Sequence, residues 1–141
     1  MKKLLPLCLA LVAAGPAFAQ VPSPPASPLD GEWRGRSDGG SCNAPLDYAL
    51  SIDTGIVDGS AYDGTAKGPV PNLKKSAPPP PTPGLWQIHG LAKPGSFSLL
   101  AVASVKADDR REGRLTATLQ GNTLVVTESG GCGRTARLTK G

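Results

Sequence analysis

Residues 114–128 read RLTATLQGNTLVVTE. Two alternating runs flank Gly121-Asn122, a pair that fits a two-residue primed hairpin turn. That turn sets the register. Leu119 faces Leu124 and Ala117 faces Val126 on one side; Thr118 faces Val125 and Thr116 faces Thr127 on the other. The hairpin therefore has one apolar face and one polar face.

Working outward, the same period of two recurs. Phe97, Leu99, Ala101, Ala103 and Val105 alternate through a strand at 96–106, and Tyr48, Leu50 and Ile52 share one face of a strand at 47–53. Further strands are expected at 31–36, 56–66, 85–90, 114–120 and 134–140, with one more after Gly121-Asn122. That makes eight. The 18 glycines punctuate these runs at turn positions, and no stretch has a sustained helical period. The Thr54-Gly55 and Lys93-Pro94-Gly95 turns are short, and residues 107–112 form a charged tip. Sequential strands with short turns make an antiparallel up-and-down meander. Eight such strands can close into a small all-β barrel, which removes the exposed edges.

The N-terminus has a different character. Met1, Lys2 and Lys3 precede an apolar run at 4–14, and Ala17-Phe18-Ala19 places small residues at a cleavage site before Gln20. The run is shorter than the roughly 20 residues a membrane helix needs. A signal peptide at 1–19 is expected, with a periplasmic or secreted product and no membrane span. Cys8 lies inside that leader and receives no role. Residues 20–29 are rich in Pro and Ser and are expected to be a disordered arm. The barrel domain is then 30–141, with a Pro-rich loop at 68–83 inside it.

Removing the leader changes the arithmetic. The 141-residue chain less its first 19 leaves 122 residues, enough for one domain with a modest core. The leader takes two of the 15 basic residues, leaving 13 against 11 acidic, a net charge of +2. The remaining basic residues are scattered. A nucleic-acid reader would need a basic stripe with interleaved aromatics, so no nucleic-acid partner is expected.

Two cysteines remain, Cys42 and Cys132. An even number in an oxidising compartment implies a disulfide. Cys42 follows strand one and Cys132 precedes strand eight. In a closed meander these strands are neighbours, and an even strand count brings both cysteines to one rim. The bridge would staple the seam.

No residue set carries a catalytic pattern. His89 is the only histidine and reads as a half-exposed strand residue without a nameable partner. Glu128-Ser129-Gly130-Gly131 reads as a tight turn before the last strand. Asp108, Asp109 and Glu112 sit among Arg110, Arg111 and Arg114, a solvated mixed-charge tip. Pro78–Pro81 with Thr82-Pro83 reads as a stiff polyproline loop, with Lys74 and Lys75 near it. No catalytic, cofactor-binding or metal residue is assigned, and a monomer is expected.

Gly31-Glu32-Trp33 resembles the G-x-W of the first strand of calycin-type barrels, the lipocalins and avidins. The resemblance implies that Trp33 plugs the closed end, under a basic residue near the last strand, Arg134 or Arg137; Arg137 is assigned. The chain as a whole is similar to small exported β-barrel proteins of Gram-negative bacteria with no known function. They share G-x-W-x-G, a cysteine in the first loop and a late G-C-G. Here these are Gly31, Trp33, Gly35, Cys42 and Gly131-Cys132-Gly133.

Function is therefore expected to be non-enzymatic: a binding module for a small ligand or a partner protein. The alternative is an envelope or secreted interaction protein, or enzyme inhibitor, acting through the Pro-rich loop. An open, apolar pocket beyond roughly 300 Å³ would favour the small ligand, and a filled interior would shift weight to loop-mediated protein contacts. The small inward residues Ala101, Ala103 and Ala117 leave room for one.

Overall fold

A computed structural model describes residues 26–66, 82–107 and 110–141. The expected signal peptide, most of the expected arm, Asp108-Asp109 and the Pro-rich loop from 68 to 81 lie outside the described residues.

Eight strands run β1 (Gly31–Arg36), β2 (Asp47–Asp53), β3 (Ile56–Tyr62), β4 (Leu85–Leu91), β5 (Ser96–Ala107), β6 (Arg110–Gln120), β7 (Thr123–Ser129) and β8 (Thr135–Lys140). Each pairs antiparallel with its sequence neighbour, and β8 returns to β1 to close the barrel. The β6–β7 register matches the hairpin reading, with Leu119 opposite Leu124 and Ala117 opposite Val126. Gly121 carries φ 60°. Asn122 is not among the residues of positive φ, so the turn is of the II′ type, with glycine at its first central position.

Period-two alternation builds the core. Leu50, Ile88, Leu99, Ala117, Leu124, Val126 and Leu138 are buried and point inward. Two inward positions must be glycine. A Cβ on Gly35 would collide with the Arg137 carbonyl, and one on Gly59 with the Ala49 carbonyl. The strands approach that closely where the sheet coils.

The seam is narrow. Its ladder is Trp33–Lys140 and Arg34–Thr139, extended by a bridge from Ser37 to Ala136. The Cys42–Cys132 disulfide lies just above it, with a Cα–Cα separation of 5.3 Å. Ser41 N donates to Cys132 O at 2.8 Å, and Asp38 N donates to Thr135 O at 3.0 Å. The staple thus joins β1 and β8 at the rim expected from the even strand count.

Several boundaries differ from the sequence reading; β4 runs one residue further, to Leu91, and the larger differences have local causes. The third strand stops at Tyr62 rather than 66, because Asp63 Oδ1 accepts from Thr65 N and Thr65 Oγ1 and turns the chain. The charged tip shrinks, because β5 and β6 continue to the Ala107–Arg110 pair after an irregularity beyond Val102. The last strand begins at Thr135 rather than 134, directly after the Gly130–Gly133 turn, in which Gly133 N donates to Gly130 O. Residues 26–29, expected to belong to the arm, form a turn against the barrel. Asp30 N donates to Ser27 O, Ser27 N donates to Asp30 Oδ2, and Leu29 is buried in the core.

Candidate functional site

The two tryptophans mark the two ends of the barrel. Trp33 stands on β1 near the end formed by the Thr54-Gly55, Pro94-Gly95 and Gly121-Asn122 turns. It is almost fully buried. Its Nε1–H donates to Leu29 O at 2.7 Å, which satisfies the one polar atom of the indole. Lys140 Nζ sits 5.2 Å from the ring centroid, within cation–π range. The cation over the indole is therefore Lys140 and not Arg137. On β8 the even positions Ala136 and Leu138 point inward, so Arg137 points out. It is exposed and pairs across to Val125. Arg134, the other basic candidate, lies at the opposite end.

Trp86 stands at that opposite end, on β4. Its neighbours across the strands are Ala61 and Ala103, small residues that leave space for a large ring. The indole also lies 3.9 Å from where a Cβ of Gly113 would be. Unlike Trp33, Trp86 is only partly buried. It forms part of the wall of an open cup of about 370 Å³ at the disulfide-clipped mouth. Leu46, Ala66, Pro83 and Val105 add apolar wall, and Asp63 and Glu112 add carboxylates. Both disulfide cysteines also line it.

The floor of the cup is an ion pair. Arg134 is 8% exposed. Its Nε donates to Ala44 O at 2.7 Å and its Nη1 to Glu128 Oε2 at 3.3 Å. Glu128 Oε2 also receives Arg134 N at 3.4 Å. A buried cation needs such partners, since an unpaired one would carry a large desolvation cost. Beneath the pair lies a residual void of only about 10 Å³, beside Tyr48, Ile88 and Ala101. That is room for about one water. The barrel itself is filled; the cup lies at its mouth, and more open concavities of about 500 and 550 Å³ lie at the other end, beside Trp33 and beside Leu29.

Tyr48 borders that void. It is 5% exposed, and its hydroxyl makes no hydrogen bond among the described residues. Burial pushes its pKa up to about 12; the Glu128 and Asp38 carboxylates push the same way and Arg134 opposes them. The phenol is neutral at ordinary pH.

The remaining residues singled out in the sequence stay apart. His89 is exposed on the outer face of β4, with Nδ1 3.0 Å from Asp58 Oδ1. Ser129 ends β7 on the outside, where its Oγ lies 3.4 Å from Thr116 Oγ1. The Ser129–Arg114 and Leu100–His89 pairs place β6 and β5 between them. Three strand spacings of roughly 4.8 Å put the two side chains some 14 Å apart. Among the described residues no three His, Cys, Asp or Glu side chains gather as a metal site would require.

Glu128, Trp86 and Tyr48 were not picked out from the sequence as site residues, yet a signal for one existed. The hairpin register that points Leu124 and Val126 inward also points Glu128 inward. A charged residue at an inward position of a small barrel signals a partner or a pocket.

The chain matches no protein-family model, no curated protein and no solved structure.

Proposed function

We propose that this protein is an exported, non-enzymatic binding module whose mouth cup holds a small ligand. The cup carries the reading. Its volume of about 370 Å³ lies in the range of small-molecule sites, which pair apolar walls with a few placed polar groups. The Arg134–Glu128 floor supplies those groups. The filled interior beneath the cup is the observation that favours the alternative, contact with a partner through the Pro-rich loop.

The leader-like N-terminus and the disulfide support a periplasmic or secreted address. The separation of Ser129 from His89 supports a binding role over hydrolysis, because a nucleophile and its base must lie within hydrogen-bond reach.

Native mass spectrometry of the protein isolated from its own host tests the proposal. A reproducible added mass of small-molecule size is expected. A protein adduct would instead support the envelope-interaction or inhibitor reading, and the bare chain alone would count against a tightly held ligand.

A further inference from the structure

We infer that the cup selects an organic cation, a protonated amine carried on a short apolar body. The inference rests on the cup being the ligand site and names the chemistry that site prefers.

The charges of the cup oppose those of the chain. The full sequence is basic, with 15 Lys and Arg against 11 Asp and Glu. The cup reverses that balance: Asp63, Glu112 and Glu128 face one cation, Arg134. Arg134 is also partly engaged, though its Nη2 makes no hydrogen bond among the described residues. Its Nε is held by the Ala44 carbonyl and its Nη1 by Glu128, so the pair is close to neutral. Two carboxylates remain on the wall and rim. Glu112 is exposed and makes no ion pair among the described residues. Asp63 uses Oδ1 for the Thr65 turn, and its Oδ2 makes no hydrogen bond among the described residues.

Three ligand classes can be compared on this geometry. An anion would have to pass Glu112 and Asp63 to reach a guanidinium whose charge Glu128 already balances. A purely apolar molecule would strip water from Glu128 and Arg134 without replacing it. An amine on an apolar stem meets neither objection. Its ammonium stays near the carboxylates, and its stem lies against Leu46, Val105 and Trp86. The indole adds cation–π attraction.

The floor offers the cup one further polar group. Tyr48 is more than nine-tenths buried, and its hydroxyl has no partner among the described residues. It borders the void that continues below the cup, a void shared with Glu128, Arg134 and Trp86. The hydroxyl itself is not sealed from solvent, since the fully buried side-chain polar atom without a partner among the described residues is Asp30 Oδ1. A polar group entering from the cup, directly or through one water, satisfies it.

The two tryptophans make the test specific. In ¹H–¹⁵N spectra of the disulfide-bonded protein, the Trp86 indole N–H reports the cup and the Trp33 indole N–H, bonded to Leu29 O, serves as control. The probes are hexylammonium, hexanoate and 1-hexanol, matched in length and differing in charge. Hexylammonium is expected to shift Trp86 and leave Trp33 in place. It should bind about tenfold more tightly than either of the others, a modest preference in affinity terms. Glu112→Gln, at an exposed rim position, should shrink that preference, as should added salt. Equal or tighter binding of hexanoate or hexanol at Trp86 would overturn the cation preference and leave the cup standing. No shift of Trp86 with any probe, or shifts centred on Trp33, would overturn the cup reading itself.

Discussion

Breaking the Cys42–Cys132 bridge tests the account of how this barrel stays closed. The bridged residues are 90 positions apart, so the cross-link constrains nearly the whole unfolded domain. The chain-entropy relation gives about 4.6 kcal/mol for that loop, as an upper figure. A real denatured ensemble is already compact, which lowers the return to about 3–4 kcal/mol. That is a large part of the 5–15 kcal/mol typical of a whole domain.

The loss should also be local. The β1–β8 ladder contains Trp33–Lys140 and Arg34–Thr139, whereas β3–β4 runs unbroken from Ile56–Leu91 to Tyr62–Leu85. The seam is the shortest ladder and carries the staple. Urea unfolding of oxidised and reduced protein, and of the Cys42→Ala/Cys132→Ala variant, measures the first effect. With a slope of about 1.5 kcal/mol per molar urea, the midpoint should fall by about 2 M. Hydrogen exchange measures the second. Amides of β1 and β8 should exchange faster while those of the β6–β7 hairpin hold. A midpoint shift below about 0.5 M, or exchange that rises uniformly, would refute the seam-staple reasoning.

Two further predictions concern the ends of the barrel. Trp33→Ala should cost about 3–5 kcal/mol in urea unfolding, the range for a buried aromatic. Lys140→Ala should cost no more than about 1 kcal/mol, and Arg137→Ala should stay within about 0.5 kcal/mol of the parent; a larger effect at Arg137 than at Lys140 would reverse the assignment of the indole's cation. Tyr48 gives a pH dependence with a definite sign. Its pKa is raised from 10.0 to about 12, so the folded state holds this proton more tightly than the unfolded state does. The stabilisation is fully present below pH 10 and is lost as pH rises through about 12, by about 2–3 kcal/mol in all. Tyr48→Phe should flatten that part of the stability profile, and an unchanged profile would show that the phenol is not the group responsible.

The local architecture was legible in the chain because its causes are local. Alternation over 115–119 and 124–127 places one set of side chains on one face, and glycine at 121 permits the positive φ the turn demands. The pairing of Cys42 with Cys132 followed from an even cysteine count and an even strand count. The misread boundaries have short-range causes too. Asp63 capping Thr65 ends β3, and Ser27 and Asp30 bond reciprocally to turn residues 26–29 of the expected arm against the barrel. Those hydrogen bonds give little sign in composition. The partner of Trp33 was misassigned between residues of one strand. Parity alone excludes Arg137 from the interior, but it does not choose between Arg134 and Lys140, which both fall on the inward side at opposite ends.

By itself, the sequence determined an all-β meander of eight strands, its β6–β7 register and its stapled seam, since these depend on residue periodicity, turn chemistry and counting. Only the tertiary structure decided where the barrel is full and where it is open. Trp33 and Trp86 are the same residue type on similar strands. One is sealed by Leu29 and Lys140. The other stands among Ala61, Ala103 and Gly113 at a mouth floored by Arg134 and Glu128. That difference arises from neighbours brought together by closure of the barrel, across separations that no local pattern encodes.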